Sequence, residues 1–400
     1  MSDIYTRLGV PRRINAAGTL TRLGGSLMAP EVLQAMVEAA GASVDIAQLQ
    51  AAASRVIAAA TGAQAGIVTS GAAAALTMAT AACLAGWDVA RMAALPDTRA
   101  MPNQVLMART HRNSYDHAVR LAGAHIVDIG HNDRGTGAGI RGLEAWEISA
   151  AIDDRAAAFV FVATPQTIHE LPLVIATLHQ HGLPVIVDAA AQLPPTSNLR
   201  FFIEAGADLV LFSGGKAIGG PQSSGILAGR RDLIGSALVQ MMDMDVHPHS
   251  WSPPELIDRS ALTGIPHHGI GRGFKVGKEE IAGLLTALQR FVERDEAAAS
   301  TGFTQRLQRI AAVLTTGSPI KTRLLAAAGA ESGASIPLLE LTIAGSAHAL
   351  CRRLLDGDPP VHLGERHSDA GILTVHPQTL RPEDDAVLTR CLIDASRSLP

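Results

Sequence analysis

Short apolar runs alternate with amphipathic segments along most of the chain. Several runs, such as residues 158–162, are apolar throughout, which is typical of strands buried on both faces of a sheet. The pattern predicts strands at 65–69, 104–109, 125–129, 157–163, 184–188, 208–212 and 225–228, most of them separated by helical stretches such as 114–123, 143–152, 172–182 and 199–206. Repeated alternation of this kind predicts an α/β fold with a mostly parallel, seven-stranded sheet covered by helices.

The two ends of the chain differ from this pattern. Residues 1–29 form an irregular N-terminal arm, and helical periodicity then begins near 30–40 and 45–60. Helices at 231–242 and about 277–297 lead out of the sheet, and the rest resembles a small α+β domain with strands at 335–343, 361–363 and 372–375 and helices at 345–356 and 383–398. We therefore predict an arm at 1–29, a large domain at 30–298 and a small domain at 299–400.

Composition excludes several classes of protein. The chain has 400 residues, of which 47 % are hydrophobic and 18 % charged, so it can bury a large core. A net charge of −4 without a long basic run argues against a nucleic-acid partner. The lack of a run of about 20 apolar residues argues against a membrane-spanning segment, and we expect no membrane partner. Cys83, Cys351 and Cys391 lack metal-ligand spacing, which indicates a reducing compartment, so we expect a cytoplasmic protein.

Two polar residues follow neighbouring predicted strands. Lys216 comes after the strand 208–212 and the run Ser213-Gly214-Gly215, and Asp188 ends the strand 184–188. In a parallel sheet both would lie at the carboxyl edge, where ligands bind. A Schiff-base lysine that holds an aldehyde and a carboxylate that protonates a ring nitrogen are the groups that pyridoxal 5′-phosphate (PLP) requires. For either residue alone, the ordinary explanation is favoured: Asp188 as a helix cap and Lys216 as a solvated loop lysine.

A third element strengthens this hypothesis. Ser70, Gly71 and Ala72 join the strand 65–69 to an alanine-rich helix. Backbone N–H groups at such a helix start, with small side chains around them, form an anion site suited to the cofactor phosphate. Alone, a Ser-Gly turn before a helix is usually only a cap, but its place before an aspartate and a lysine predicts a PLP site.

Two segments resemble a known family. They are INAAGTLTRLGG at 14–25 and SGGKAIGGPQSSG at 213–225, and the resemblance extends along essentially the whole chain. It is to the selenocysteine synthase (SelA)-like superfamily of fold-type I PLP enzymes, and within it to the D-glucosaminate-6-phosphate ammonia-lyase-like branch. The chain departs from the family in two ways. The segment at Ile14 comes almost at once, so we expect no additional N-terminal domain of the kind with which selenocysteine synthases bind tRNA, and Gly215 stands where many relatives have an acidic residue.

The resemblance implies roles for further residues around the cofactor. His111, which follows the strand 104–109, is expected to stack on the pyridine ring, with Tyr115 as a second choice. Ser213 is a candidate donor to the phosphate, and Gln192 is a candidate partner of the ring hydroxyl. Each has an ordinary alternative: a loop histidine, a turn serine and an amide that caps the next helix.

Basic residues outside the sheet are candidates for the substrate. Arg272 lies in a glycine-rich loop, and a guanidinium binds carboxylate or phosphate through two hydrogen bonds. Asn15 and Arg22 in the N-terminal segment are further substrate-side candidates, with packing or surface roles as alternatives. His267 and His268 are candidate proton shuttles, and no metal is predicted because no carboxylate stands at ligand spacing beside them.

The predicted function is that of a lyase. Lys216 would act as the base at the α-carbon of an amino acid, and loss of a β-hydroxyl would lead to a 2-keto acid and ammonia. The substrate would be a hydroxylated amino acid or a sugar amino acid, with or without phosphate. A racemase, an aldolase or a transaminase uses the same first step, and a PLP-binding regulatory or scaffold protein is the alternative without catalysis. The resemblance also implies at least a homodimer.

Overall fold

The computed structural model describes residues 3–131, 142–327 and 336–397, so residue 335 of the predicted strand 335–343 and residue 398 of the predicted last helix lie outside the described residues. The chain divides into two compact units. The large unit comprises Met28–Glu293, and the terminal unit comprises Met1–Leu27 and Arg294–Pro400. The N-terminal segment thus belongs to the same unit as the C-terminal residues, and the division after Glu293 precedes the boundary expected at 298. The three-part division remains a prediction.

The large unit contains a seven-stranded sheet. Its strands are β2 (Ala65–Thr69), β3 (Gln104–Ala108), β4 (His125–Ile129), β5 (Ala156–Val162), β6 (Val185–Asp188), β7 (Leu209–Ser213) and β8 (Gly225–Gly229). They are ordered β2-β8-β7-β6-β5-β3-β4, and β8 is antiparallel to both of its neighbours while the other pairs are parallel. The predicted α/β class, with a mostly parallel seven-stranded sheet, is confirmed.

Helices accompany the strands of the large unit. They are α2 (Pro30–Ala40), α3 (Ile46–Thr61), α4 (Ala72–Ala85), α5 (Val89–Ala94), α6 (Asp116–Leu121), α7 (Ala145–Ala150), α8 (Leu171–Gln180), α9 (Asn198–Glu204), α10 (Arg231–Met241) and α11 (Lys278–Glu293). Their apolar side chains form two buried clusters with the strands. None of the helices among the described residues combines the length and the apolar character needed to cross a bilayer.

Helix α4 explains the alanine-rich composition after residue 71. It is apolar on all sides, and eleven of its residues are buried, including Ala75, Ala79 and Ala82. A helix without a polar face belongs inside a protein. Alanine side chains let it pack against strands and helices at once, which fixes the position of its first turn.

The terminal unit contains a five-stranded sheet. Its strands are β1 (Ile14–Ala16), β9 (Lys321–Leu325), β10 (Leu338–Thr342), β11 (Val361–His367) and β12 (Ile372–Val375), ordered β1-β11-β12-β10-β9. Strand β1 pairs with β11 in parallel, so Asn15 lies opposite His362, and the other pairs are antiparallel. The helices of this unit are α1 (Ile4–Arg7), α12 (Glu296–Gly317), α13 (Ala347–Asp356) and α14 (Asp384–Arg397).

Candidate active site

Asp188 and Lys216 meet at the carboxyl edge of the large sheet. Strands β6 and β7 are parallel neighbours with Asp188 opposite Leu211, and Lys216 follows three residues after the end of β7. The two side chains are half-buried and close enough for the ammonium of Lys216 to favour the charged form of Asp188. The structure therefore brings together the two residues on which the sequence hypothesis depends.

Burial sets the protonation of both groups. It raises the pKa of Asp188, although the Ala190 N–H donates to Asp188 Oδ1 (3.0 Å) and Lys216 lies nearby. Burial also lowers the pKa of Lys216, which the charge of Asp188 opposes in part. A lowered pKa leaves more of the amine neutral, which is the form that attacks an aldehyde or accepts a proton.

The loop that carries Lys216 closes on itself through glycines. The Gly214 N–H donates to the Ser224 carbonyl (2.9 Å), and the Gly220 N–H donates to the Gly214 carbonyl (2.9 Å). A Cβ on Gly214 would lie 2.2 Å from Ser224 Oγ, and one on Gly215 would lie 2.6 Å from the Gln222 Cα. A side chain at position 215 would therefore collide with the Gln222 backbone, so packing in this chain requires glycine there.

The predicted anion turn is a helix start without a side-chain cap. Gly71 has a φ of +129° and precedes α4, and no side chain in the described part of the chain accepts a hydrogen bond from the first N–H groups of the helix. The Thr69 hydroxyl instead donates to the Gly71 carbonyl (3.0 Å). A 14-residue helix that presents its first N–H groups in this way provides a positive site for a phosphate.

Gly225 joins the anion turn to the lysine loop, a role that the sequence reasoning did not assign. As the first residue of β8 it pairs with Thr69 on one side and with Ser213 on the other. A Cβ on Gly225 would lie 2.6 Å from the Gly71 carbonyl carbon and 2.8 Å from the Ala72 nitrogen. Only glycine lets the turn approach this closely, and the Gly-rich motif gave a signal that could have identified it.

His111 is buried beside the carboxyl end of β5. It ends a 3₁₀ helix (Arg109–His111), and its ring lies edge-on to Phe161 with the ring centres 4.7 Å apart. The Val162 N–H donates to His111 Nδ1 (3.4 Å), so the neutral ring carries its proton on Nε2. Val162 pairs with Asp188 in the sheet, which places His111 in the neighbourhood of the candidate pair. Its stacking role remains a prediction.

Glu170 faces His111 and was not found from the sequence. Its Oε2 lies 3.4 Å from His111 Nε2, and neither atom has a hydrogen-bond partner among the described residues. Glu170 lies at the end of a 3₁₀ helix (Ile168–Glu170) far from His111 in sequence, so only the tertiary structure reveals the contact. The second candidate for stacking, Tyr115, is 57 % exposed just before α6.

Two further cofactor candidates lie near the same edge of the sheet. Ser213 ends β7 and is half-buried. Gln192 is half-buried in the segment after β6, where its N–H donates to the Ala189 carbonyl (3.0 Å) and its carbonyl accepts from Asn198 Nδ2 (2.7 Å). Their assigned contacts with the phosphate and the ring hydroxyl remain predictions.

Arg272 lies in a cleft of the large unit of about 650 Å³. Its Nη2 donates to Asp243 Oδ2 (2.7 Å), and neither Lys216 nor Asp188 is among the residues that line this cleft. His268 Nε2 lies 3.3 Å from Asp243 and 3.9 Å from Asp245, so carboxylates do approach this histidine in space. All three groups are exposed, and the guanidinium already neutralises Asp243, which disfavours a cation there. His267 is exposed.

Asn15 and Arg22 belong to the terminal unit. Asn15 Nδ2 donates to the Gly18 carbonyl (2.9 Å) and Asn15 Oδ1 accepts from the Ala17 N–H (3.0 Å), so this side chain fixes a turn. Arg22 Nη1 lies 3.5 Å from His362 Nδ1. The substrate role assigned to both residues remains a prediction.

Similarity to known proteins extends over the whole chain. No protein-family model matches it. A 5′-C-glycyluridine monooxygenase-decarboxylase from a Streptomyces species is 32 % identical over 97 % of this chain and 90 % of its own length. The D-glucosaminate-6-phosphate ammonia lyase of Salmonella typhimurium is 34 % identical over 72 % of this chain and 70 % of its own length. An L-seryl-tRNA(Sec) selenium transferase from Moorella thermoacetica is 29 % identical over 48 % of this chain and 39 % of its own.

Solved structures agree with the sequence relatives. The structure of D-glucosaminate-6-phosphate ammonia-lyase matches with a TM-score of 0.82 and 27 % identity, covering 99 % of both chains. A serine palmitoyltransferase from Sphingomonas wittichii matches with a TM-score of 0.53 and 14 % identity over 97 % of this chain and 88 % of its own, which shows a shared fold alone.

Proposed function

Because the chain belongs to the SelA-like family of PLP-dependent enzymes, in the branch of D-glucosaminate-6-phosphate ammonia-lyase, we propose that it is an ammonia-lyase. The reaction removes a β-hydroxyl and the amino group from a hydroxylated amino acid or a sugar amino acid and yields a 2-keto acid and ammonia. The observation that carries the proposal is the pair of Asp188 and Lys216 at adjacent strand ends, beside an uncapped helix start.

The residues around this pair fit PLP. The Lys216 amine, with its lowered pKa, is suited to hold the cofactor aldehyde, and Asp188 is suited to face the ring nitrogen. The first turn of α4 with Ser70, Gly71 and Ala72 would bind the phosphate, and the close approach of Gly225 holds this turn against β8. Bound there, PLP supplies a ring that withdraws electrons from the substrate α-carbon.

The protein groups then divide the work at the substrate. Lys216 Nζ, freed when the substrate amine takes its place on the cofactor, would accept the α-proton and return it to the departing β-hydroxyl, and the Asp188 carboxylate would face the ring nitrogen. The β-hydroxyl leaves as water, and the resulting enamine takes up water to release ammonia and the 2-keto acid. The water lost equals the water taken up, so the substrate is converted to keto acid and ammonia without an oxidant.

The test is product analysis with purified holoenzyme. D-Glucosaminate 6-phosphate and D-glucosaminate are supplied in turn, and ammonia and 2-keto acid are measured together. Equal amounts of both products support the lyase. Exchange of the α-proton with inversion supports a racemase, glycine with an aldehyde supports an aldolase, and keto acid formed only with an amino acceptor supports a transaminase. Cofactor binding without proton exchange on any substrate would identify a binding protein.

Oxidative decarboxylation is the second candidate. The relative named for that reaction aligns with 97 % of this chain, against 72 % for the ammonia lyase. An oxygen electrode separates the two functions, because the lyase consumes no oxygen whereas a monooxygenase consumes it and releases carbon dioxide.

We further propose a homodimer located in the cytoplasm, and light scattering of the holoenzyme gives the subunit number.

A further inference from the structure

A second cleft, within the terminal unit, is rich in arginine. It has a volume of about 480 Å³ and is lined by residues that include Arg12, Arg13, Arg22, Arg381, Asn15 and Thr379. Its base is fixed, because the Thr379 hydroxyl donates to the Asn15 carbonyl (2.9 Å) and the Asn15 side chain holds the turn at Gly18.

The charges of this cleft do not balance. Arg381 binds Asp384 through two nitrogens (3.0 and 3.2 Å), and Arg12 lies 3.6 Å from Asp3. Among the described residues, neither Arg13 nor Arg22 has a carboxylate oxygen within 4.0 Å. Two guanidinium charges thus remain without a countercharge at the same cleft.

Both uncompensated arginines face one histidine. His362 is 5 % exposed in β11, with Arg13 Nη1 3.4 Å from its Nε2 and Arg22 Nη1 3.5 Å from its Nδ1. A guanidinium only donates hydrogen bonds, and a neutral imidazole has a single acceptor nitrogen. At most one of the two contacts is therefore a hydrogen bond, and protonation of the ring would remove that one as well. The group has more N–H donors than acceptors.

We propose that Arg13 and Arg22, which both contact the buried ring of His362, form a binding site in this cleft for a phosphate group, either free or as a phosphate monoester. A phosphate supplies three acceptor oxygens and up to two negative charges, which satisfies the surplus donors and both unpaired guanidiniums. A carboxylate brings one charge and two oxygens and leaves one arginine uncompensated. Burial and the two guanidiniums lower the pKa of His362, which is consistent with a positive electrostatic potential at this site.

Calorimetry with inorganic phosphate tests the site directly. The holoenzyme is used because its cofactor site is already filled and cannot take up the phosphate. The ionic strength is kept low so that salt does not screen the arginine charges. Arg13→Gln and Arg22→Gln are each expected to weaken phosphate binding about tenfold or more, the loss of a charge-assisted hydrogen bond. Arg352→Gln removes an equal charge from an exposed position on α13 and should leave binding unchanged. Equal binding by wild type and both variants, or no phosphate binding by wild type, overturns the proposal.

Kinetics distinguish the source of the phosphate, and this part rests on the proposed function. If the phosphate belongs to the substrate, inorganic phosphate competes with D-glucosaminate 6-phosphate, and Arg13→Gln raises KM for this substrate while KM for D-glucosaminate changes little. If it belongs to a separate ligand, inorganic phosphate binds together with the substrate. The calorimetric result does not depend on turnover, so an inactive protein that binds phosphate through Arg13 would refute the lyase and leave the anion site in place.

Discussion

Replacing Gly225 with alanine tests whether this position joins the two halves of the active site. The added Cβ would lie 2.6 Å from the Gly71 carbonyl carbon, 2.9 Å from its oxygen and 2.8 Å from the Ala72 nitrogen. All three are backbone atoms, so no side chain can rotate to relieve the contact. Either β8 or the turn before α4 must move, and β8 is held by Thr69 on one side and Ser213 on the other.

The cost follows from the packing. Adding a methyl group to a filled site typically destabilises a protein by about 1–3 kcal/mol. If the turn before α4 moves, its N–H groups bind the cofactor phosphate less well, so part of this free energy appears as weaker cofactor binding. A loss of about 1.4 kcal/mol raises Kd about tenfold. We therefore expect Gly225→Ala to lower the free energy of unfolding by about 1–3 kcal/mol and to raise the Kd for PLP about tenfold.

Urea unfolding of the cofactor-free protein and absorbance titration with PLP measure the two effects separately. Gly264→Ala is the matched control, because its Cβ would have no heavy atom within 4 Å and its backbone is not left-handed. The control should leave both quantities unchanged. If Gly225→Ala behaves like the control in both assays, Gly225 does not connect the anion turn to the lysine loop.

Further predictions concern the reacting pair and the terminal unit. Lys216→Ala should lose the borohydride-reducible attachment of PLP and lower kcat about 10³-fold, and a variant as active as wild type would exclude Lys216 as the base. Burial raises the pKa of Asp188, so the carboxylate costs folding free energy that appears as the pH rises through that pKa. As the pH rises from the ordinary pKa of an aspartate to the raised pKa of Asp188, cofactor-free Asp188→Asn should therefore gain stability relative to wild type. The gain should be about 1.4 kcal/mol for each pH unit by which the pKa is raised. Urea unfolding at several pH values measures this gain. Arg306 is 12 % exposed and binds Asp385 and three backbone carbonyls, so Arg306→Ala should cost about 3 kcal/mol, whereas Arg309→Ala, exposed on the same helix, should cost less than about 0.5 kcal/mol. Equal unfolding midpoints for these two variants would contradict the role of the Arg306 contacts.

The large sheet could be predicted from the sequence because all of its strands except the edge strand β4 are largely buried. The apolar run of β5 can be recognised in the sequence without knowing which strands lie beside it. Its burial confirms that it is an interior strand. Strands of the terminal unit gave weaker signals. Strand β1 has three residues, and β9 begins with the exposed Lys321 and continues through Thr322 and Arg323, so neither shows a clear apolar alternation.

One helix boundary was also predicted incorrectly. The sequence suggested one helix at about 277–297, whereas α11 ends at Glu293 and α12 begins at Glu296. Asp295 caps α12, since its side chain accepts from the Ala298 N–H (2.9 Å). An aspartate before a long helical pattern is a known start signal, so this break could have been found from the sequence.

The active site was predictable only where strand ends determine it. Asp188 and Lys216 follow apolar strands, so sheet topology alone brings them together. The contacts of His111 with Glu170, and of His362 with two arginines, join residues that no periodicity relates. Each of these two contacts forms because the tertiary structure brings together side chains that are distant in sequence. Their surplus hydrogen-bond donors or acceptors can be recognised only in the folded protein.

The reacting pair also explains why this part of the molecule is suited to a cofactor. Burial disfavours both charges, since it raises the pKa of Asp188 and lowers the pKa of Lys216. Their attraction offsets only part of that cost. Lys216 would attach to PLP as a neutral amine, and Asp188 would gain a positive partner in the ring nitrogen, so both unfavourable burials would be relieved on binding. The burial that disfavours the charged forms of Asp188 and Lys216 therefore contributes to the affinity for the cofactor.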